Sequence, residues 1–301
     1  MHDIIIVGGG PAGLTAAIYA LRAGKTVLVI EKNGFGGQIA YSPKVENIPG
    51  IQQISGTEFA DALTEQAMAL GADVELEKVI RVEPGQTMLV HTEEGGRYEG
   101  RAVILALGVK HRMLGLPGEQ ELVGNGLSFC AVCDGAFYAG QDVAMIGGGN
   151  SALQEALLLS EVCHKVTVVQ NLADFTGERK LADALLEKDN VEVFFSTLVT
   201  GYETTDGSIS GLHLRNSETG EEHSIRVDGA FLAVGLAPEN QDFASLAELN
   251  NWGYFDSGED CCTKTPGVFV AGDCRSKTIR QVVTASSDGA IAAMAACRYL
   301  D

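Results

Sequence analysis

Basic residues are scarce in this chain of 301 residues: 21 Lys and Arg stand against 40 Asp and Glu, a formal charge of −19. Nucleic acids and anionic membrane surfaces are bound chiefly through Lys and Arg, so neither is expected as a partner. No apolar run approaches the roughly 18 residues that span a bilayer. The first residues, MHDIIIVGGG, carry no basic stretch or cleavage site ahead of the glycines, which predicts the opening strand of a cytoplasmic protein. Prolines number only seven, and disorder is not expected. Cysteines are also seven, an odd count in a long chain, unlike a secreted disulfide framework. The six histidines show no ligand spacing; His91, His213 and His223 fall in charged hairpin-like stretches and are predicted to be solvated.

What is abundant is glycine, 37 residues of it, in a chain that is 46% hydrophobic. That supplies one large or two medium domains. The sequence also repeats itself. DIIIVGGGPAGLTAAIYALRAGKTVLVIEK from Asp3 aligns without a gap on DVAMIGGGNSALQEALLLSEVCHKVTVVQN from Asp142. Gly8, Gly10 and Gly13 thereby fall on Gly147, Gly149 and Ala152. Each copy reads as strand, glycine turn, helix and second parallel strand. A lone GxGxxG is weak evidence, but here it follows a strand, opens a helix and recurs in register. The glycines permit close backbone approach, and the helix start offers free N–H groups to a pyrophosphate.

The copies differ at the end of the second strand. In the first, Glu31 stands where a carboxylate accepts hydrogen bonds from ribose hydroxyls. In the second, the same place holds Gln170, followed by Asn171 and Leu172. A 2′-phosphate there calls for arginine forks and a plain ribose for a carboxylate.

SFCAVCDGAFY sets Cys130 and Cys133 two residues apart, with Asp134 next. Zinc needs more ligands than one CxxC, and the remaining cysteines form no second one. A redox disulfide is the better reading, with Asp134 near enough to move its protons. Cys163, Cys261, Cys262, Cys274 and Cys297 read as small packed residues.

These stretches, together with GGQ at Gly36–Gln38, VENIPG at Val45–Gly50, and PGVFVAGDC followed by Arg280 and Gln281, resemble the low-molecular-weight thioredoxin reductases over nearly the whole chain. The resemblance implies an α/β protein of two Rossmann-like three-layer domains, the second inserted in the first. Residues 1–110 and 242–301 would form the FAD domain and 114–238 the nicotinamide-type domain with the CxxC, joined through KHRMLGLPGE and LAPENQDF. It implies a homodimer in which electrons pass from FAD through Cys130–Cys133 to thioredoxin. Gly8, Gly10, Pro11, Ala12, Gly13, Glu31 and Lys32 would hold the ADP half of FAD, with Val79 near the adenine. Gln38 and Asn47 would approach the ribityl chain and flavin ring, beside Ala106 and Gly108. Gly272 and Asp273 would serve the ribityl or phosphate region, Arg280 and Gln281 the flavin edge. Cys133 would face the flavin and Cys130 attack thioredoxin, so the inserted domain would rotate between two states.

The resemblance breaks at KVTVVQNLADFTGERK. Family members that use NADPH carry an HRRxxxR-like pattern there, and this chain has Gln170, Asn171, Leu172 and Thr176 instead. NAD(P)H is therefore a doubtful cofactor, and an electron donor other than NADPH is expected, for instance a ferredoxin-like protein docking at Lys110, His111 and Arg112. The alternatives are an NADH- or NADPH-dependent thioredoxin reductase, an FAD dithiol oxidase and a non-catalytic flavin redox sensor.

Overall fold

The computed structural model describes residues 1–41 and 45–301, and within them not the side chains of Tyr41, Val132 and Cys133. The chain divides into two compact units, residues 1–110 with 237–301, and residues 111–236.

The first unit begins as the repeat predicts, with β1 (His2–Val7), α1 (Pro11–Arg22) and β2 (Val27–Glu31). Helix α2 (Gly56–Ala69) starts directly after Ser55, which caps it. The Ser55 hydroxyl accepts the Glu58 N–H at 3.1 Å and the Glu58 carboxylate accepts the Ser55 N–H at 3.0 Å, a reciprocal cap worth about 1 kcal/mol. Strands β3 (Asp73–Leu76), β4 (Val79–Glu83), β5 (Met88–Thr92) and β6 (Arg97–Leu105) follow. The sheet order is β3-β2-β1-β6-β5-β4, parallel from β3 to β6 and antiparallel beyond.

The second unit starts within the short strand β7 (Lys110–His111) and continues through α3 (Glu119–Leu122), β8 (Leu127–Ser128) and α4 (Ala131–Asp134). Its Rossmann core is β9 (Asp142–Ile146), α5 (Asn150–Val162), β10 (Lys165–Val169), α6 (Arg179–Leu186) and β11 (Val191–Phe194). An antiparallel sheet, β12 (Thr197–Thr205), β13 (Ser208–Asn216) and β14 (Glu222–Arg226), precedes β15 (Gly229–Leu232). The parallel sheet runs β11-β10-β9-β15-β8. The chain then crosses back through β16 (Leu236–Ala237), and β17 (Val268–Val270) and α7 (Val282–Leu300) complete the first unit. There β17 pairs with residues Val103–Leu105 of β6.

Both parallel sheets are buried on two faces, which is why their strands are continuous apolar runs rather than alternating ones. Successive side chains still point opposite ways. In the first unit Ile4, Ile6, Val27, Val29 and Ile104 pack against α1 and α7, while Ile5, Val7, Leu28, Ile30 and Leu105 pack against β4, β5 and residues 243–255. In the second unit Val143, Met145, Val166 and Val168 face α5 and α6, and Ala144, Ile146 and Val169 face the antiparallel sheet. Each unit is thus a three-layer structure.

Helices α1 and α7 cross closely because both present small residues: a Cβ on Gly289 would lie 2.1 Å from the Ala12 carbonyl oxygen. Among the described residues no helix is long and apolar enough to cross a membrane.

Candidate functional site

Two glycine turns and one cysteine segment carry the chemistry. In the first turn Gly8 has φ +110° and a Cβ there would come within 2.2 Å of the Ala106 carbonyl oxygen. Gly13 meets the Gly8 carbonyl oxygen as closely, at 1.9 Å from an ideal Cβ. Both glycines are therefore demanded by geometry. Gly10 caps α1 and Pro11 occupies its first turn, where a missing N–H costs nothing. The carboxylate of Glu31 is held by the turn itself, accepting the Gly9 N–H at 2.7 Å, and the Asn33 N–H at 3.0 Å. Lys32 reaches Glu239 at 2.8 Å. Val79 is buried at the head of β4.

Other expected cofactor residues gather in the same unit. The Asn47 side-chain amide donates to Gln281 at 3.0 Å, although 234 residues separate them. Gln38 is exposed on the 3-10 turn Gly37–Tyr41. Ala106 is buried and donates to the Val7 carbonyl at 2.8 Å, and Gly108 turns with φ +65°. Gly272 has φ +80° and lies against Ala12, 2.7 Å from Ala12 Cβ to an added Cβ. Arg280 donates to the Asp273 and Arg275 carbonyls, both at 3.2 Å, and its guanidinium lies 4.0 Å over the Tyr254 ring.

Asp273 is decisive. Its Oδ1 is buried without a hydrogen-bond partner in the protein, and burial raises its pKa, with Lys277 and Arg280 opposing. A buried acceptor left open in this way fits a ligand hydroxyl. With the close approaches at Gly8 and Gly272, the residues of the first turn fit the FAD that the resemblance implies.

The second turn repeats the backbone but not the recognition. Gly147 has φ +134°, and an added Cβ would lie 2.4 Å from the Ala233 carbonyl oxygen. Gln170 is 3% exposed. Its carboxamide lies over Gly148 and its Nε2 donates to the Asp174 carbonyl at 3.0 Å. The Thr176 N–H donates to the Gly148 carbonyl at 2.8 Å, as the Gly36 N–H does to Gly9 at 2.7 Å in the first unit. Glu178 brings a carboxylate to Asn150 at the start of α5, at 3.2 Å. Arg179 is the first cation after Lys165. It is 92% exposed and turned toward Asp183 at 3.7 Å. These residues do not fit a 2′-phosphate.

Around the cysteines, Cys130 is disulfide-bonded, and the side chain of Cys133 lies outside the described residues. The Ser128 hydroxyl donates to Asp134 Oδ2 at 2.6 Å and accepts the Cys130 N–H at 3.0 Å, so Asp134 is tied to the strand end from which the redox segment departs. Glu155 accepts the Ala131 N–H at 3.1 Å, and burial pushes its pKa up to about 7. Cys163, Cys261, Cys262, Cys274 and Cys297 are free, four of them buried and Cys262 half-buried.

Several residues escaped sequence reasoning. Ser128 and Glu155 serve the cysteine segment. Asp288, buried within α7, accepts from the Gly272 N–H at 3.0 Å, from Lys277 at 2.9 Å and from Arg275 at 3.1 Å. Asn240, 1% exposed, donates to the Gly253 and Cys274 carbonyls at 2.9 and 2.8 Å and so pins the returning chain to the first unit. A polar side chain at an apolar-face position was the available signal for Glu155 and Asp288. Two histidine expectations need correction. His91 is half-buried beside Glu83, on the face of β5 opposite the core residues Met88 and Val90, and His223, on the same face of β14 as Ile225, packs on Phe194 with ring centroids 5.1 Å apart. Of the basic trio, Lys110 pairs with Glu239 at 2.5 Å, Arg112 donates to the Leu236 carbonyl at 2.8 Å and His111 stacks on Phe129 at 5.1 Å.

The sequence pattern of the pyridine nucleotide-disulphide oxidoreductases matches residues 2–289. Over its full length the chain is 37% identical to a thioredoxin reductase of Bacillus subtilis, covering 95% of it. It is 42% identical to a bifunctional thioredoxin reductase/thioredoxin of Mycobacterium leprae, of which it spans 66%. The crystal structure of Lactococcus lactis thioredoxin reductase superimposes with a TM-score of 0.96 at 32% identity, over 100% of this chain and 99% of that one.

Proposed function

Because the chain belongs to the pyridine nucleotide-disulphide oxidoreductase family, we propose that this FAD-dependent disulfide oxidoreductase is a thioredoxin reductase whose electrons come from a donor other than NADPH. The carrying observation is the contrast at one register position: Glu31 is presented by the first glycine turn, whereas Gln170 is buried and bonded to its own loop. Among residues 171–178 no Lys or Arg is available for a 2′-phosphate.

FAD, once bound, supplies electrons in pairs. Residues 1–110 and 242–301 would hold it, with Asp273 to accept a cofactor hydroxyl and Gly8 to Gly13 to take the pyrophosphate. The disulfide of Cys130 and Cys133 takes up two electrons and two protons. Cys130, as thiolate, attacks one sulfur of the thioredoxin disulfide and releases the other as a thiolate. Cys133 then attacks Cys130, which restores the disulfide and frees reduced thioredoxin. Asp134, oriented by Ser128, exchanges protons with the pair. The active form is a homodimer, and a ferredoxin-like protein is the donor class to test first.

Anaerobic bleaching of the flavin absorbance by NADPH, NADH and a reduced ferredoxin, each alone, tests the donor. Bleaching by the protein donor only is expected; rapid bleaching by NADPH refutes it. A Cys130→Ser protein is expected to bind FAD and fail to reduce thioredoxin.

A further inference from the structure

Glu155 sits on the face of α5 that buries Ala152, Ala156 and Leu159. At the same register position the first repeat has Ala16, fully buried. A carboxylate in place of a packed methyl group loses solvation and must gain a partner. The partner here is the N–H of Ala131, the residue directly after Cys130, at 3.1 Å. Ala131 is itself 2% exposed and Glu155 is half-buried, so the contact is only partly open to water.

We infer that Glu155 is a positioning residue of the redox disulfide: its carboxylate fixes the backbone beside Cys130, and its charge sets how readily the disulfide is reduced. This rests on the reading that Cys130 is redox-active. A disulfide is neutral and a reduced pair carries a thiolate, so a nearby carboxylate opposes reduction. Burial has already raised the Glu155 pKa to about 7, so the opposition is switched on near neutral pH. Charged groups on the elements packed against α5 have other engagements or face solvent. Asp134 binds Ser128; Lys165 pairs with Glu192 and Asp142 with His164. On α6, Arg179, Lys180 and Asp183 are exposed, and the Tyr138 phenol on the turn after α4 is held neutral by burial.

The test compares oxidised holoenzyme and its Glu155→Gln variant in glutathione redox buffers, with thiols trapped by alkylation and counted by mass. Gln keeps a carbonyl acceptor for Ala131 without the charge. At pH 8 the variant should favour the dithiol about tenfold more than wild type, about 30 mV for a two-electron couple. At pH 6, where Glu155 is itself protonated, the difference should shrink to within about twofold. Equal behaviour at pH 8, or the same difference at both pH values, overturns the inference. Should the Gln protein not fold, Glu155→Ala, which favours the helix, is read the same way. A wild-type protein with no thiol transition would sink the redox reading as well; a wild-type transition unaltered by the substitution sinks this inference alone.

Discussion

The two glycine turns share a backbone and differ in what they hold. Both place glycine at a φ that other residues avoid, and both are closed by a loop N–H bonded to the second glycine's carbonyl, Gly36 to Gly9 and Thr176 to Gly148. Only the first is followed by ligand-shaped groups: a carboxylate oriented by the turn and an unpartnered buried acceptor at Asp273. In the second, the corresponding polar atoms are consumed internally, by Gln170 with Asp174 and Glu178 with Asn150. The close approaches of Gly8 to the Ala106 carbonyl and of Gly147 to the Ala233 carbonyl require glycine in both turns whether or not a dinucleotide is present.

The largest expected effect separates these two causes. Gly8→Ala and Gly147→Ala each force a Cβ against a carbonyl oxygen, at 2.2 and 2.4 Å, and each should destabilise its unit by ~3 kcal/mol or more. Flavin content should fall sharply in the first and stay near one per chain in the second. Equal flavin loss in both would erase the distinction.

Next in size is the register position that holds Ala16 in the first repeat and Glu155 in the second. Folded Glu155 titrates at about 7 instead of the ordinary 4.5, so between those pH values the folded state holds a proton that the unfolded chain has released. Stability should then fall as pH rises from about 4.5 to 7, by about 3 kcal/mol in all. Urea midpoints at pH 5 and pH 7.5 check this, with Glu155→Gln expected to lose that part of the slope.

Asp273→Asn should leave the fold intact and weaken flavin binding by about 10- to 100-fold, ~1.4 to 2.7 kcal/mol. Ultrafiltration of released flavin measures it. Retained affinity would mean that the open Asp273 acceptor is not a cofactor contact.

Much of this contrast was legible in the sequence because it is local. The strands, the turns and the register of Gln170 on Glu31 all follow from spacing within one βαβ unit, and the three-layer α/β fold is what the family resemblance implies. Side chains that act across the fold were not legible. Glu155 reads as an ordinary helix carboxylate until Ala131 is beside it, and Asp288 until Gly272, Arg275 and Lys277 converge on it from another segment. Asn47 and Gln281 were singled out separately; only the fold brings them to 3.0 Å. The surroundings of His91 and His223 are not legible either, because charged neighbours in a strand say nothing about the face on which each histidine lies.

The smallest structural change probes the sharpest side of the comparison. Leu172 is 48% exposed on the loop after β10, so Leu172→Arg should alter stability by no more than ~0.5 kcal/mol. It supplies one cation next to the position where the second turn lacks recognition, and a guanidinium fork suits a phosphate. If the turn is competent apart from its missing cations, NADPH-driven flavin bleaching should rise about tenfold while NADH-driven bleaching, which has no 2′-phosphate to gain from, stays unchanged. An equal rise for both nucleotides would assign the effect to general charge. No rise at all would place the obstruction in the loop itself, where the Gln170 carboxamide covers Gly148 and the Glu178 carboxylate stands at the start of α5.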